Sequence, residues 1–462
     1  MSSTNGFQAS TVTSSPAELT HRGQAYYTVS VLLIAYVFSI MDRQILTLLV
    51  GPIQHSLQVN DSWMGVLHGF TFAAFYSLVG LPIARLIDRG NRPLVITVGI
   101  GLWCLATAAG GLATEFWHLL LARIGVAVGE AVLLPGAVSL ISDLFTPHNR
   151  GRALGVFGMG ASFGAGAGLL ATGLVLGYFT AHPLTLPWLG LLQPWQTTLM
   201  SIGLPGLLVL VLMIGVPEPR LRKNAMGLSP TVRVEIPLRE VLAYLRENRR
   251  TFTAIFLGAG CFYTAVYGSG SWVPTYFVRE FGWSYARIGA LMGAIMCVCG
   301  PIGVIFASWL GEHWRNRGVT NANLRIAVIA SVLLALVSIP LLMASSVERA
   351  VPFLVLAATL WTCLFGVGAA LIVEVAPAPM RGQFMAMYTG ALSLLGAGCG
   401  PVMVGVLTDY VFKDPNAIKY SILCVVLFGC SLAALVFYSA LRSIRHTAQN
   451  ALQWQSGSIA QP

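Results

Sequence analysis

The sequence predicts an all-α polytopic membrane protein, twelve transmembrane helices in two pseudo-symmetric six-helix bundles, and three observations carry that class. Hydrophobic residues make up 56% of the 462 and charged residues only 10%, at a mean hydropathy of +0.75; no soluble core absorbs that much apolar surface. The apolar residues gather into twelve runs of about 20 residues or more, the length that crosses a bilayer as a helix. A polar stretch from Pro217 to Arg250 divides those runs six and six.

The runs lie at 26–50, 63–86, 93–113, 117–142, 152–178, 195–215, 251–277, 286–310, 324–345, 350–376, 383–408 and 418–441. They organise the chain into a polar N-terminal segment (1–25), an N-terminal bundle (26–216), a linker (217–250), a C-terminal bundle (251–445) and a tail (446–462). The first segment is rich in Ser, Thr and Gln and has no short apolar core with a small-residue cleavage site, so the first run is expected to act as its own insertion signal. In the linker, Leu238, Val241, Leu242 and Leu245 recur at helical spacing opposite Arg239, Glu240, Arg246 and Glu247, which predicts a short amphipathic helix.

A net charge of +10 and a pI near 9.4 would suit nucleic acid, but the basic residues are sorted by side. With the N-terminus placed inside, Arg279, Arg287, Arg349, Lys413 and Lys419 are the only ones left outside. That bias fixes both termini in the cytoplasm. Short extramembrane segments favour a bacterial inner membrane. Asn60-Asp61-Ser62 has the form of a glycosylation sequon but lies too near the bilayer to serve as one.

Four ionisable residues lie deep in the first half: Asp42 and Arg43 in the first run, Arg123 and Glu130 in the fourth. Each costs roughly 2.5–3.5 kcal/mol near the midplane even on the lenient insertion scale. At 1.5 Å rise per residue, Asp42 and Arg43 lie ~11–12 Å from the outer end of their run, Arg123 ~9 Å and Glu130 ~20 Å from the outer end of theirs. Depth therefore matches Asp42 with Arg123, and lets Arg43 reach inward toward Glu130. As helix neighbours, Asp42 and Arg43 point about 100° apart and serve different partners. Buried ion pairs are weak stabilisers, so a working site is the favoured reading over a pair of staples. Glu130 is then the proton carrier, and an anionic headgroup that captures the arginine releases it to be protonated.

The second half has no charge at comparable depth, since Glu374 sits near an inner end and Asp409 at an outer one. It offers aromatic residues instead: Tyr263, Tyr267 and Trp272 in the seventh run, Trp361 in the tenth and Tyr388 in the eleventh, which join Tyr36 of the first as candidate cavity lining. An ionic half facing an apolar, aromatic half suits an amphiphile with a charged head and a greasy body. Protons and membrane lipid are the other expected partners, with no nucleic acid, no cofactor and a monomeric chain.

Repetition supports the division into halves. Leu86-Ile87-Asp88-Arg89 after the second run is echoed by Leu310-Gly311-Glu312-His313 after the eighth, and Pro147-His148-Asn149-Arg150-Gly151 after the fourth by Pro379-Met380-Arg381-Gly382 after the tenth. Two parallel six-helix halves are the arrangement of a rocking secondary transporter. Asp88, Arg89, Arg92, Asp143, Arg150 and Glu312 form a cytoplasmic charge set expected to latch an inward gate.

On these residues the sequence resembles the major facilitator superfamily. Leu86, Asp88, Arg89 and Arg92 match its signature between the second and third helices, with Ala84 in place of the first glycine; Arg123-Ile124-Gly125 through Gly129 is similar to its fourth-helix signature. Asp42-Arg43, Gly129-Glu130-Ala131 and Ser142-Asp143-Leu144-Phe145 resemble the spinster branch, while Gln196 after Trp195 stands where that branch usually has arginine. The resemblance covers residues 26 to 445 and implies lysophospholipid or sphingoid-phosphate substrates. The proline of the family's antiporter signature is missing from the fifth run, so that signature does not support antiport.

Other chemistries fare poorly. The glycine stripe from Gly158 to Gly168 lacks the spacing and the preceding strand of a dinucleotide site; it is expected to pack across the pseudo-twofold against Gly300-Pro301-Ile302-Gly303 of the eighth run. The eight cysteines all fall inside runs and read as packing residues, and Cys297-Val298-Cys299 has no further metal ligands at suitable spacing. His68 is the one histidine well inside a run and is expected to be a satisfied packing residue. No nucleophile–base pair or phosphate loop stands out, so no enzyme is expected. A symporter of small organic anions such as hexuronates, or a receptor that does not transport, would use the same arginines.

Overall fold

The computed structural model describes residues 16–187, 190–220 and 236–459. Twelve helices among them are long and apolar enough to cross a membrane: Gly23–Leu57 (span 1), Asp61–Gly80 (span 2), Arg92–Gly110 (span 3), Phe116–Leu144 (span 4), His148–Ala181 (span 5), Pro194–Met213 (span 6), Arg249–Phe281 (span 7), Tyr285–Asn316 (span 8), Ala322–Leu342 (span 9), Val347–Val375 (span 10), Ala378–Phe412 (span 11) and Pro415–Ser439 (span 12). Each coincides with one run of the sequence to within about two turns at either end. The protein is a multi-pass integral membrane protein. An even number of crossings puts both chain ends on one side, the terminal face, opposite the distal face.

Helix association in lipid depends on close packing of small residues, and span 5 is built for it. A Cβ on Gly164 or Gly168 would collide with Val37, Ile40 or Met41 of span 1, and one on Gly166 or Gly173 with Gly293, Cys297 or Tyr285 of span 8. The span 8 residues that meet span 5 most closely are Gly289 and Gly293, while Gly303 packs on Thr359 and Thr362 of span 10. Of the expected Gly300–Gly303 contact, Gly300 meets the stripe at Ser162 in ordinary van der Waals contact, while the tightest approach lies about two turns nearer the distal face. Gly151, Gly155 and Gly158 have open space beside them.

Spans 2 and 11 tell the same story. Near the distal face Gly65, Gly69 and Gly405 stand so close to Pro401, Ala397 and Asp61 that a Cβ on any of them would strike backbone, whereas Gly80 and Gly390 have nothing within 4 Å. Both spans carry wide π-helical turns at their crossing, Val66–Phe70 and Leu392–Cys399. In span 11 the cause is Pro401, which has no N–H for the Ala397 carbonyl. The halves thus touch on the distal side and diverge toward the terminal face.

The terminal face of the second half is braced from below. The predicted linker helix forms at Leu238–Glu247, but its buried face is Val241 and Tyr244, with Leu238 and Leu242 exposed. The stripe of Leu238, Val241, Leu242 and Leu245 overlooked the tyrosine, whose hydroxyl donates to Val375 O at 3.0 Å. The tail is a helix too, Ser443–Ile459, with Thr447 and Ala451 buried. Linker residues 221–235 lie outside those described.

On the same face Arg92 is a fully buried hub. It donates to Asp143 at 2.7 Å, to Ser139 at 2.9 Å and to both oxygens of Glu218, with a further, very short bond between Arg92 Nη2 and Glu218. Burial pushes the Glu218 carboxyl up, but the hydrogen bonds from Arg92 and Arg220 outweigh it and hold the group below the usual carboxylate range. Its stabilisation is therefore complete above the unfolded carboxylate pKa of about 4.3 and lost as pH falls through the lower folded value. Glu218→Ala is expected to cost about 1–3 kcal/mol at neutral pH and much less in acid, read from thermal unfolding in detergent at both pH values. An equal cost at both would assign the loss to packing.

Candidate transport site

Asp42 and Arg43 leave one unbroken helix in different directions. Asp42, 4% exposed, turns to spans 3 and 4: Thr107 Oγ1 donates to its Oδ1 at 2.6 Å, and Arg123 Nη1 lies 3.5 Å from Oδ2, an ion pair without good hydrogen-bond geometry. Arg43 Nε donates to Glu130 Oε2 at 2.6 Å, beside Ser39 Oγ, which donates to the same oxygen at 2.9 Å. The four charges read from the sequence are brought into two adjoining pairs.

Local sequence explains how Glu130 reaches this depth. Span 4 is interrupted at Ala131-Val132, since Pro135 offers no N–H to the Ala131 carbonyl and crowds it. Gly99 and Gly129 meet backbone to backbone, each glycine's would-be Cβ standing 2.7 Å from the other's carbonyl oxygen, which draws span 4 against span 3. Glu130 ends up 1% exposed at the break.

Phe72 of span 2 lies beneath both cations, 4.6 Å from the Arg43 guanidinium and 5.1 Å from that of Arg123. Tyr76, one turn on, is 5.2 Å from Arg43 and stacks on Phe72. A ring face shared by a buried and a partly buried guanidinium offsets part of the cost of their burial. Neither aromatic was read from the sequence; their i, i+4 spacing opposite the charged runs was the available signal.

The pairing is incomplete. Asp42 Oδ2, Arg123 Nε and Glu130 Oε1 are buried with no hydrogen-bond partner, a cost of about 1–3 kcal/mol each. Helix staples would use both carboxylate oxygens. Arg43 is also the open member, its side chain 31% exposed against 0% for Glu130. A small cavity lined by Asp42, Thr107, Gly110, Arg123 and Leu199 adjoins the other pair.

The aromatic candidates divide. Tyr36, stacked on Phe157, is partly exposed, and Tyr267 is 38% exposed. Tyr263, Trp272, Trp361 and Tyr388 are at most 4% exposed, so as cavity lining these four are corrected to packing residues of the second half. The physical reason is the close approach of span 7 to span 11 at Gly268 and Gly400, which buries that side of span 7; the Trp272 indole donates to Pro401 O at 3.0 Å.

The gate set is not joined across the halves in this arrangement, which is open on the terminal face. Arg92 and Asp143 bind each other within the first half and, among the described residues, form no ion pair with the second. Arg150 Nε is buried without a partner, Glu312 forms no ion pair among the described residues, and the side chains of Asp88 and Arg89 lie outside those described. The ties between halves are instead on the distal face, where the sequence reading placed none. Arg279 of span 7 donates to both oxygens of Asp61 at 2.8 Å and to Gln54 Oε1 at 3.0 Å, while Gln54 Nε2 donates to Asp61 at 2.6 Å. Ser62 gives both its N–H and its hydroxyl to Asp409 at 2.6 Å. Arg279 is one of the few basic residues left on that side, which was the signal for an acidic partner.

The family model described as Major Facilitator Superfamily matches residues 32–401. The chain belongs to the major facilitator superfamily. Among superfamily relatives, an "MFS-type efflux pump" of Mycolicibacterium smegmatis is 26% identical over 397 residues, 85% of this chain and 87% of the relative. "Sphingosine-1-phosphate transporter SPNS2" of Xenopus tropicalis is 24% identical over 400 residues, 82% of this chain and 73% of the relative. A solved bacterial homologue of the human lysosomal transporter Spinster, in an inward-facing and unoccupied conformation, superposes with a TM-score of 0.76 at 23% identity, over 92% of this chain and 98% of that one. The superfamily fold and the spinster-like character of the sequence agree.

Proposed function

We propose that this superfamily member is a proton-coupled secondary transporter that moves an amphiphilic anion, a lysophospholipid or sphingoid phosphate, by alternating access. The observation that carries this reading is Arg43: a partly exposed side chain whose ionic partner among the described residues, Glu130, is buried with one oxygen unpaired. An anionic headgroup arriving between the halves competes for that guanidinium. Glu130, once released, is a desolvated carboxylate and takes up a proton, so substrate and proton are bound in linked steps. Asp42 and Arg123 hold spans 1, 3 and 4 in register beside it. With the termini in the cytoplasm, the terminal-face opening is the inward-open state, and the same rocking about spans 2, 5, 8 and 11 exposes the site to the other side. The apolar second half and the sphingosine-1-phosphate relative support a lipid-like cargo.

Reconstituted vesicles test this directly. With an imposed pH gradient, uptake of a lysophospholipid is expected to follow the gradient while a small hexuronate is not accumulated. Gradient-driven uptake of the hexuronate alone would replace the substrate class, and no flux of either would make the protein a receptor.

A further inference from the structure

We infer that His68 is a second proton-binding site, one whose protonation is tied to which face of the transporter is open. The inference rests on the alternating-access reading above, but not on Glu130 as the proton carrier. His68 lies in the π-helical turn Val66–Phe70 of span 2, seven residues and so ~10 Å along the helix from Asp61. Its Nε2 is 3.2 Å from Ser271 Oγ of span 7 and 3.5 Å from Thr47 Oγ1 of span 1. Its Nδ1 is buried and has no partner. The other polar ties between the halves described above, through Asp61, Gln54 and Ser62, all lie at the distal rim. The imidazole is the tie at mid-depth, and the expectation of a satisfied packing histidine does not hold.

This geometry accepts the neutral ring and resists the charged one. The neutral ring fits as the tautomer that carries its proton on Nε2 and donates it to Ser271 Oγ, leaving only a lone pair at the unpartnered Nδ1. Imidazolium carries N–H donors on both nitrogens, and here Nδ1–H would face no acceptor, at the cost of a buried unpaired charge-bearing donor. The charged and titratable groups on the helices packed around it include Tyr36, Asp42 and Arg43 of span 1, Arg123 and Glu130 of span 4, Tyr263, Tyr267, Tyr276 and Arg279 of span 7, and Tyr388, Cys399 and Asp409 of span 11, with Tyr76 and Asp61, the latter paired to Arg279, on span 2 itself. The four inner charges cancel in sum, so no net negative charge is left to hold an imidazolium. Arg123, over Phe72 one turn along span 2, is a cation on this side of the ring, and a second cation beside it is disfavoured by like-charge repulsion.

Opening the distal face reverses each of these conditions. Spans 7 and 11 withdraw from span 2, Ser271 leaves Nε2, and the ring meets water that can solvate both N–H groups. A proton that binds one conformation better must favour that conformation. Acid therefore drives the distal face open through His68, independently of substrate.

The test reads conformation, not flux. Spin labels are carried on non-natural residues at Gln58 and Asn416, both exposed on the distal face and in different halves. Distances are measured by pulsed EPR in substrate-free vesicles from about pH 8 to about pH 5, the range in which histidine titrates. In a Glu130→Gln background the ratio of distal-open to distal-closed molecules is expected to rise five-fold or more on acidification, a usual span for a coupled equilibrium. His68→Gln in that background keeps a hydrogen-bonding side chain but cannot titrate, and is expected to abolish the response. Ser271→Ala removes the closed-state partner and is expected to move the response to higher pH. A pH response that survives His68→Gln, or its absence in the Glu130→Gln protein with His68 intact, overturns the inference. Failure of the Glu130 reading would show separately, as pH-driven flux persisting in Glu130→Gln.

Discussion

Glu130→Gln is expected to bind substrate and exchange it across the membrane while losing the ability to concentrate it from a pH gradient. One proton crossing a gradient of one pH unit supplies about 1.4 kcal/mol, a tenfold accumulation. In the variant the accumulation ratio should fall to one. Gln is nearly isosteric and can still accept through its amide oxygen from Arg43 Nε and Ser39 Oγ, the two donors on Oε2 in the native protein. The site should therefore stay assembled, with Arg43 freer to meet an anion because its ionic competitor is gone. The expected signature is retained or tightened binding, intact counterflow and flat pH dependence. A variant that still accumulates substrate against a gradient would remove Glu130 from the proton path. Loss of binding and exchange together would instead assign the pair to structure.

Asp61→Asn is expected to move the resting protein from distal-closed toward distal-open. Asp61 is 2% exposed and receives both arms of Arg279 and the Gln54 amide, so its charge is the centre of the distal tie. Removing one partner of a buried pair typically costs 3–5 kcal/mol, because the other is left uncompensated. About 3 kcal/mol expressed only in the closed state would shift the ratio of states roughly a hundredfold. Arg279→Gln should act in the same direction. The double variant should cost less than the sum, since neither side chain is then a stranded charge. Distances across the distal face by single-molecule fluorescence give the ratio, and a population unmoved by either single change would reduce these bonds to passive contacts.

The limits of the sequence are visible in particular residues. Depth arithmetic placed Asp42 beside Arg123 and Arg43 beside Glu130, because a helix in a bilayer has one coordinate that residue number fixes directly. That arithmetic has no angular term across helices, so it missed Thr107, Ser39 and Phe72, which complete the pairs from spans 3, 1 and 2. Residue type alone overrated Trp272 and Trp361: an aromatic side chain on a span can face cargo or a neighbouring helix, and the glycine contacts that bury Trp272's side of span 7 pair residues more than a hundred positions apart. Asp61 looked like part of a sequon and Arg279 like a lone outer cation, since nothing local to either announces the other.

By itself the sequence determined that this protein crosses a membrane twelve times in two related halves and carries a costly ionic cluster in the first. Those conclusions follow from the bilayer, which constrains length, hydropathy and charge one helix at a time. Only the tertiary structure decided that Glu130 leaves an oxygen unpaired while Arg43 stays open, that the halves close on the Asp61 side, and that His68 spans the seam between them. These depend on rotation and register between helices far apart in the chain, where a few ångströms separate a hydrogen bond from a void.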